Sequence, residues 1–166
     1  MAKPKAGGSP ATVALARAGV AFTLHPYQHR PEATSYGDEA AAALGVDPRR
    51  IFKTLVAEVS GGTRSAELVV AVVPVAEQLD LKALAAATGG KRAALADPVV
   101  AARSSGYVVG GISPLGQRTP LRTVLHSSAR SFDTVFVSAG KRGLQVELSP
   151  DDLITLTSAV VAPIAA

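Results

Sequence analysis

The sequence predicts an α+β fold in which helices pack outside a mixed, mainly antiparallel sheet. Strand-like and helix-like segments alternate, but without the regular strand–helix–strand repeat of a doubly wound parallel sheet. Several neighbouring strand candidates are joined by short links typical of hairpins, such as residues 60–63. With 166 residues and 48% hydrophobic content, the chain can bury a sizeable core. We therefore expect one domain over residues 9–166, preceded by a flexible tail over residues 1–8.

The first helix is predicted by the residues at its ends. Ser9 can cap it, Pro10 suits its first turn, and Gly19 directly after Ala18 is a typical helix terminator. The alternating residues from Val20 to Leu24 then predict a strand.

The second helix follows a polar loop over residues 25–33. Thr34 and Ser35 are both candidate caps, and Ser35 is favoured because Asp38 three residues later completes a capping-box pattern. This helix is predicted to run from Tyr36 to about Gly45.

The remaining chain continues to mix strands and helices. Further strands are predicted over residues 51–59, 67–73, 91–96, 107–109, 123–126, 134–138 and 144–148. Helices are predicted over residues 79–87, from Asp97-Pro98 to near Gly106, and after Ser149-Pro150. The last of them carries acidic residues in its first turn, where the helix dipole favours them.

Composition excludes several kinds of site. Cysteine is absent, so the chain has no disulfide and no thiol of its own to serve as nucleophile or metal ligand. The three histidines, His25, His29 and His126, lack metal-ligand spacing, and we expect neither a metal nor another cofactor. The net charge of +4 is compatible with an RNA or nucleotide partner, but charge alone favours ordinary surface lysine and arginine.

The termini carry no membrane signal. Residues 1–9 hold two lysines without an apolar stretch after them, and the apolar run over residues 159–166 is too short to span a bilayer. We therefore expect a cytoplasmic protein without a membrane partner.

Three short motifs together suggest a pocket for an anionic or carbonyl-bearing ligand. They are residues 52–55, 106–116 and 138–143. In the first, Lys53 is either a surface lysine on a strand or a point charge for phosphate or a developing oxyanion. In the second, Gly110-Gly111 either only marks a loop or exposes two backbone amides to a ligand. Ser113 either binds a ligand or closes its own turn.

The third motif and two tyrosines leave similar alternatives. Ser138, Lys141 and Arg142 form either a phosphate-binding turn without Walker spacing or a solvated hairpin. Tyr27 and Tyr36 either stack on a base or ribose or are ordinary loop tyrosines.

These motifs resemble the YbaK family of aminoacyl-tRNA deacylases, which is related to the editing domain inserted in bacterial prolyl-tRNA synthetases. The resemblance runs from about Pro10 to the last helix and is carried by residues 25–29, 52–55, 74–82, 96–98, 106–116 and 138–143. It implies that family's partly barrel-like fold, and within the family the chain is most similar to free-standing Cys-tRNA(Pro) deacylases. Proline and cysteine are similar in size, so a synthetase pocket separates them poorly and a second site corrects the error.

The resemblance also implies site residues. It gives catalytic roles to Lys53, Gly110 and Ser138, substrate contacts to Tyr27, Tyr36, Thr54, Gly111, Ser113 and Gln145, and RNA contacts to Lys141 and Arg142. Gln145 stands where we expect an aspartate in the best-known member of this subgroup, and a glutamine can hydrogen-bond but cannot act as a base. The implied partners are the 3′ acceptor end of an aminoacylated tRNA and prolyl-tRNA synthetase.

The mechanism implied by the resemblance needs no protein nucleophile. The thiol of the cysteinyl substrate attacks its own ester, releases the tRNA and leaves a cyclic thiolactone, so the enzyme would be a lyase; with water it would be a hydrolase. Two other readings remain: an Ala-tRNA(Pro) deacylase of the same fold, and a non-catalytic module that binds tRNA or a synthetase. A weaker third reading is a nucleotide-binding protein with the same pocket.

Overall fold

A computed structural model of the chain describes residues 8–33, 35–62 and 65–166. The helices in those residues are α1 (Pro10–Ala18), α2 (Tyr36–Leu44), α3 (Leu81–Thr88), α4 (Pro98–Ser105) and α5 (Pro150–Thr157), with a short 3-10 helix over Ser127–Ser131. The strands are β1 (Phe22–Pro26), β2 (Phe52–Ser60), β3 (Glu67–Pro74), β4 (Arg92–Leu95), β5 (Arg122–His126), β6 (Val135–Lys141), β7 (Leu144–Leu148) and β8 (Val160–Ala162). The expected tail apart from Gly8, the candidate cap Thr34 and Thr63 of the expected hairpin link lie outside the described residues.

The strands form two sheets. One has the order β1-β7-β6 with antiparallel pairs, and the other has the order β4-β2-β3-β5-β8. In the second sheet β2 is antiparallel to β3 and β4, whereas β5 is parallel to β3 and β8. The predicted mixed, mainly antiparallel α+β architecture is confirmed, although its strands divide between two sheets.

The two sheets meet where β2 and β6 begin. Ile51 forms a parallel bridge with Phe136, whose backbone N–H donates to the carbonyl oxygen of Arg50 at 2.9 Å. Beyond this bridge no ladder joins β2 to β6 in the described part of the chain, and β4 pairs only with residues 57–60 of β2. The start of β2 therefore has one paired edge, against β3, and one open edge.

Two main clusters of apolar side chains stabilise this arrangement. The larger cluster includes Leu15 of α1, Phe52 of β2, Val137 of β6 and Leu153 of α5. The second lies around α3 and includes Leu84. Alternate residues of β3 belong to the two clusters, so both faces of β3 are buried, which explains the continuous apolar run over residues 68–73.

Helix caps follow most of the sequence signals. The side chains of Ser9, Asp97 and Ser149 accept backbone N–H groups at the starts of α1, α4 and α5, as predicted. Asp80 caps α3 in the same way, so that helix begins at Leu81, two residues later than predicted. No helix among the described residues has the length and apolar character needed to cross a bilayer.

Three local predictions are wrong. Ser35 donates its hydroxyl proton to Asp38 at 2.6 Å and accepts no backbone N–H, so the capping box does not form. Residues 107–109 form a loop instead of a strand, because Tyr107 turns inward and donates its hydroxyl to the Leu115 carbonyl at 2.6 Å while Val108 stays 57% exposed. Strand β8 was missed, since its three residues become a strand only by pairing with β5.

Candidate functional site

A cavity of about 360 Å³ opens between the diverging strands β2 and β6, and we call it the β2–β6 cavity. Its wall combines the first turn of α2, the start of β2, residues before and within α4, the loop after α4, and single residues of β6 and β7. Most of the wall is apolar. The volume lies in the usual range of ligand pockets, roughly 300–1000 Å³.

Six predicted site residues lie on the wall of this cavity: Tyr36, Lys53, Thr54, Gly110, Ser138 and Gln145. They come from α2, β2, the loop after α4, β6 and β7, so only the tertiary fold brings them together. Lys53 is half-buried and forms no ion pair with any described residue. Its ammonium group is therefore not neutralised by a carboxylate of the described chain.

Two polar atoms on the wall are buried without a hydrogen-bond partner in the described chain. They are Oγ1 of Thr54 and Oε1 of Gln145, and the two residues are only 9% and 7% exposed. A buried polar atom without a partner destabilises the free protein by roughly 1–3 kcal/mol. Such atoms are typical of a site where a ligand supplies the missing partner.

The open edge of β2 adds backbone groups to the same wall. The carbonyl of Val56 points away from β3, because it accepts the N–H of Ala96 at 2.9 Å. Backbone groups two residues apart on a strand point to the same side, so those of Thr54 also point away from β3, toward the gap. No local sequence pattern indicates this open edge, since it depends on β4 pairing with only part of β2.

A β-bulge holds Ser138 in place. Ser138 pairs with Gln145, and the register then shifts before Lys141. The N–H of Gly140 donates to Oγ of Ser138 at 3.1 Å, and the hydroxyl of Ser9 donates to the Ala139 carbonyl at 2.6 Å. Bulges of this kind commonly redirect a side chain beside a site.

Gly110 lies on the wall of the cavity, against the ring of Tyr36. Its φ is +87°, and its N–H has no acceptor among the described residues. The N–H is therefore available to donate to a ligand.

Five predicted site residues are not on the wall. Ser113 is fully buried and its Oγ accepts the N–H of Leu115 at 3.2 Å, so it closes its own turn. The N–H of Gly111 donates to the Val108 carbonyl at 2.9 Å. Lys141 is exposed, and Arg142 binds the loop after α4.

Tyr27 does not line the β2–β6 cavity. Burial raises the pKa of its hydroxyl, the Glu39 carboxylate raises it further, and polar contacts with Gly143 and the amide of Gln145 oppose both effects. Tyr27 faces a second surface depression, which it lines together with Arg30.

No described residue on the wall is a carboxylic acid or a histidine. His25 contacts Glu147 at 2.9 Å, His29 contacts Glu39 at 2.8 Å, and His126 accepts the N–H of Ile164 at 3.0 Å. Among residues 8–33, 35–62 and 65–166, no three metal-ligating side chains are gathered together. The carboxylate and imidazole side chains of the described residues thus lie outside the cavity.

A polar cluster stabilises the junction of the two sheets next to the cavity. Thr134 donates its hydroxyl to Glu147 at 2.5 Å, and Arg50 donates to Thr134 Oγ1 at 2.6 Å and lies 3.6 Å from Glu147. The hydrogen bond from Thr134 holds the pKa of Glu147 below its ordinary value, and contacts with His25 and Arg50 lower it further, against the effect of burial.

The chain matches the model of the aminoacyl-tRNA editing domain over residues 29–156. It is 39% identical to a protein of Enterococcus faecalis named as a candidate Cys-tRNA(Pro)/Cys-tRNA(Cys) deacylase, EbsC, over 127 residues that cover 76% of this chain and 75% of that protein. Two solved structures are also similar. One, a candidate trans-editing enzyme for prolyl-tRNA synthetase, is 27% identical with a TM-score of 0.77 and 95% coverage of both chains. The other, a hypothetical protein designated APE2540, is 26% identical with a TM-score of 0.81, covering 95% of this chain and all of that one.

Proposed function

The chain belongs to the aminoacyl-tRNA editing domain family, and from this premise we propose that it is a trans-editing deacylase that removes cysteine from mischarged Cys-tRNA(Pro). The relative from Enterococcus faecalis, whose name carries this substrate, supports the choice of cysteine. The structural relative for prolyl-tRNA synthetase supports action on proline tRNA.

The observation that carries the proposal is the chemical character of the cavity wall. The chain has no cysteine, and no described residue of the wall is a carboxylic acid or a histidine. Ser138 has no base within hydrogen-bonding distance among the described residues, and Ser35, whose hydroxyl donates to Asp38, is exposed at the start of α2 together with that carboxylate. We therefore infer that the nucleophile is water or a group of the substrate.

The substrate thiol is the better of these two nucleophiles. A cysteine thiol has a pKa of about 8.5, whereas the pKa of bulk water is far higher. Without a base, water is difficult to activate, whereas a positive charge such as Lys53 lowers the pKa of a nearby thiol. Gln145 cannot replace the missing base, because a carboxamide does not accept a proton near neutral pH. Cysteine is therefore favoured over alanine as the substrate.

The proposed reaction is an intramolecular displacement. The cysteinyl sulfur attacks the ester carbonyl carbon, the bond from that carbon to the terminal ribose oxygen breaks, and the thiol proton passes to the departing oxygen. The products are tRNA with a free 3′ end and a cyclic thiolactone of cysteine. Confinement between apolar walls orients the sulfur toward its own carbonyl, and orientation of this kind supplies several kcal/mol of barrier reduction.

The remaining catalytic and binding roles belong to different residues of the wall. The N–H of Gly110 donates to the carbonyl oxygen as negative charge develops there. Lys53 stabilises the departing ribose oxygen or its neighbouring phosphate. Thr54 and Gln145 supply partners for the polar groups of the cysteinyl moiety. Recognition of the tRNA body is left to prolyl-tRNA synthetase, since this domain offers few contacts for a whole tRNA.

The experiment that tests the proposal measures deacylation of Cys-tRNA(Pro) and Ala-tRNA(Pro) against a control without protein. Rapid loss of cysteine with little loss of alanine is expected. Preferential loss of alanine would assign the protein to the other substrate. No loss of either, together with salt-sensitive tRNA binding, would instead identify a binding module.

A further inference from the structure

We propose that Arg142 is a positioning residue, which latches the loop carrying Gly110 onto Tyr36 and thereby fixes the Gly110 N–H at the cavity. This inference rests on the proposed function only for its catalytic consequence. The latch itself is a structural statement about three segments: the β6–β7 turn, the first turn of α2, and the loop after α4.

The contacts of Arg142 join those three segments. Its Nε and Nη2 both donate to the carbonyl oxygen of Val109, at 2.9 Å and 2.6 Å. Its Cζ lies 4.6 Å from the centre of the Tyr36 ring. A guanidinium can form both contacts at once because it is planar, with a fork of N–H donors at its edge and a face that stacks on aromatic rings.

The loop after α4 has few other restraints near its tip. Residues 106–121 contain no strand or helix, and Val108 and Val109 are 57% and 39% exposed. The described backbone hydrogen bond closest to the tip is internal, from Gly111 to Val108. The contact with Arg142 ties the tip to another element of the fold.

Two glycines let the loop reach this position. A Cβ on Gly110 would lie 2.7 Å from Tyr36 Cδ2, and a Cβ on Gly111 would lie 2.8 Å from the Lys141 Cα and 2.9 Å from the Arg142 backbone nitrogen. The loop therefore packs directly on both surfaces that Arg142 joins. Because Gly110 is adjacent to Val109, the latch restrains the backbone on one side of the proposed oxyanion donor.

This role differs from the RNA contact expected for Arg142. Two of its three nitrogens already donate to a carbonyl, which leaves fewer donors for a phosphate. Lys141 beside it is exposed and makes no ion pair with a described residue, so it is the better phosphate ligand of the two.

Steady-state deacylation separates the latch from an electrostatic role. The variants are Arg142→Ala, Arg142→Lys, Lys141→Ala and, as the charge-matched control, Arg17→Ala on the exposed face of α1. The latch predicts that both Arg142 variants lose at least about tenfold in kcat, since a small misplacement of a catalytic group is costly. Arg142→Lys would not restore kcat, because lysine lacks the planar fork of N–H donors. The proposal would be overturned if Arg142→Ala and Lys141→Ala raised KM equally without lowering kcat. In that case Arg142→Lys would restore the wild-type KM, as a purely electrostatic role requires.

Amide hydrogen exchange tests the latch without any substrate. The reporter is the Gly111 N–H, which donates to Val108, and the reference is Val137 in the core of β6. Arg142→Ala and Tyr36→Leu should each speed exchange at Gly111 at least about tenfold, with Val137 unchanged and Tyr36→Phe like wild type. Unchanged Gly111 exchange in Arg142→Ala would overturn the latch. If the wild type shows no deacylation, the proposed function fails and this exchange measurement still decides the latch.

Discussion

Gly110 packs so closely against the ring of Tyr36 that the space between them cannot hold one methyl group. A Cβ built on Gly110 would lie 2.7–2.8 Å from three ring atoms, Cδ2, Cε2 and Cγ. The same glycine has a φ of +87°, a conformation that costs other residues about 1–2 kcal/mol. Two independent constraints thus require glycine at this position on the wall of the β2–β6 cavity.

Gly110→Ala should therefore lower deacylation activity sharply. The alanine methyl must push Tyr36 or the loop away, which displaces the backbone N–H proposed to bind the carbonyl oxygen. We expect a loss in kcat of about a hundredfold, the scale seen when one oxyanion donor is removed. Kinetics of Cys-tRNA(Pro) deacylation measure this loss.

Gly89→Ala is the matched control for backbone strain. Gly89 has a φ of +84°, but a Cβ there would meet nothing within 4 Å. Both variants should lose a similar free energy of unfolding because alanine is strained at a positive φ. Only Gly110→Ala should also lose deacylation activity. Equal activity in the two variants would show that the Gly110 backbone has no special place in the reaction.

Lys53→Ala should abolish or greatly reduce activity while the protein stays folded. Lys53 is half-buried on the wall and forms no ion pair with the described chain, so its removal leaves no partner unpaired. A loss of about a hundredfold to a thousandfold in kcat is expected for an electrostatic contact to a departing oxygen. Lys82→Ala on α3 controls for loss of a lysine charge, and circular dichroism verifies folding. Full activity in Lys53→Ala would refute its assigned role.

Thr54→Val should stabilise the free protein and weaken the enzyme. The substitution keeps the shape of the side chain and removes a buried hydroxyl that has no partner in the described chain, which should add about 1 kcal/mol to the free energy of unfolding. Thr88→Val is the control, because Thr88 is equally buried at 8% but donates to the Leu84 carbonyl at 2.9 Å. Urea denaturation should show opposite signs for the two variants. A destabilised Thr54→Val would mean that its hydroxyl has a partner in the free protein.

Glu147 should contribute to the acid sensitivity of folding. Its pKa is held below the ordinary value of 4.5, first by the hydroxyl of Thr134 and then by His25 and Arg50. A carboxyl with a lower pKa in the folded state stabilises that state when ionised, so the contribution is complete above about 4.5 and disappears as the pH falls through the lowered folded value.

Unfolding of Glu147→Gln measures this contribution. The variant should be less stable than wild type by about 1 kcal/mol at neutral pH, and the difference should shrink as the pH falls below about 4.5. Glu58→Gln is the control, since Glu58 is exposed on β2 and makes no ion pair with a described residue. Parallel stability curves for wild type and Glu147→Gln across this range would contradict the account.

Local signals in the sequence predicted most of the secondary structure. Capping residues such as Ser9 and Ser149 and terminators such as Gly19 act within a few residues, so the sequence alone reveals them. Prediction of the secondary structure failed where a tertiary contact determines the local conformation. Tyr107 lies in an apolar run that resembles a strand, but its hydroxyl binds Leu115 and the run becomes a loop.

The candidate site was only partly predicted, because local motifs reveal some of its residues whereas tertiary contacts position the others. Lys53, Thr54 and Gly110 lie in recognisable motifs, and they lie on the cavity. Arg142 also lies in a motif, but its contact with Tyr36 joins residues about a hundred positions apart and no local pattern encodes it. The open edge of β2 depends on which residues β4 leaves unpaired, which again only the fold determines.

The central claim is that the substrate brings its own nucleophile to this cavity. The most direct test compares single-turnover deacylation of Cys-tRNA(Pro) with that of Ser-tRNA(Pro), which differ only by sulfur and oxygen. The account predicts that cysteine is released at least about a hundredfold faster than serine, because a hydroxyl without a base is a weak nucleophile. Comparable rates for the two substrates would show that water performs the attack and would contradict the account.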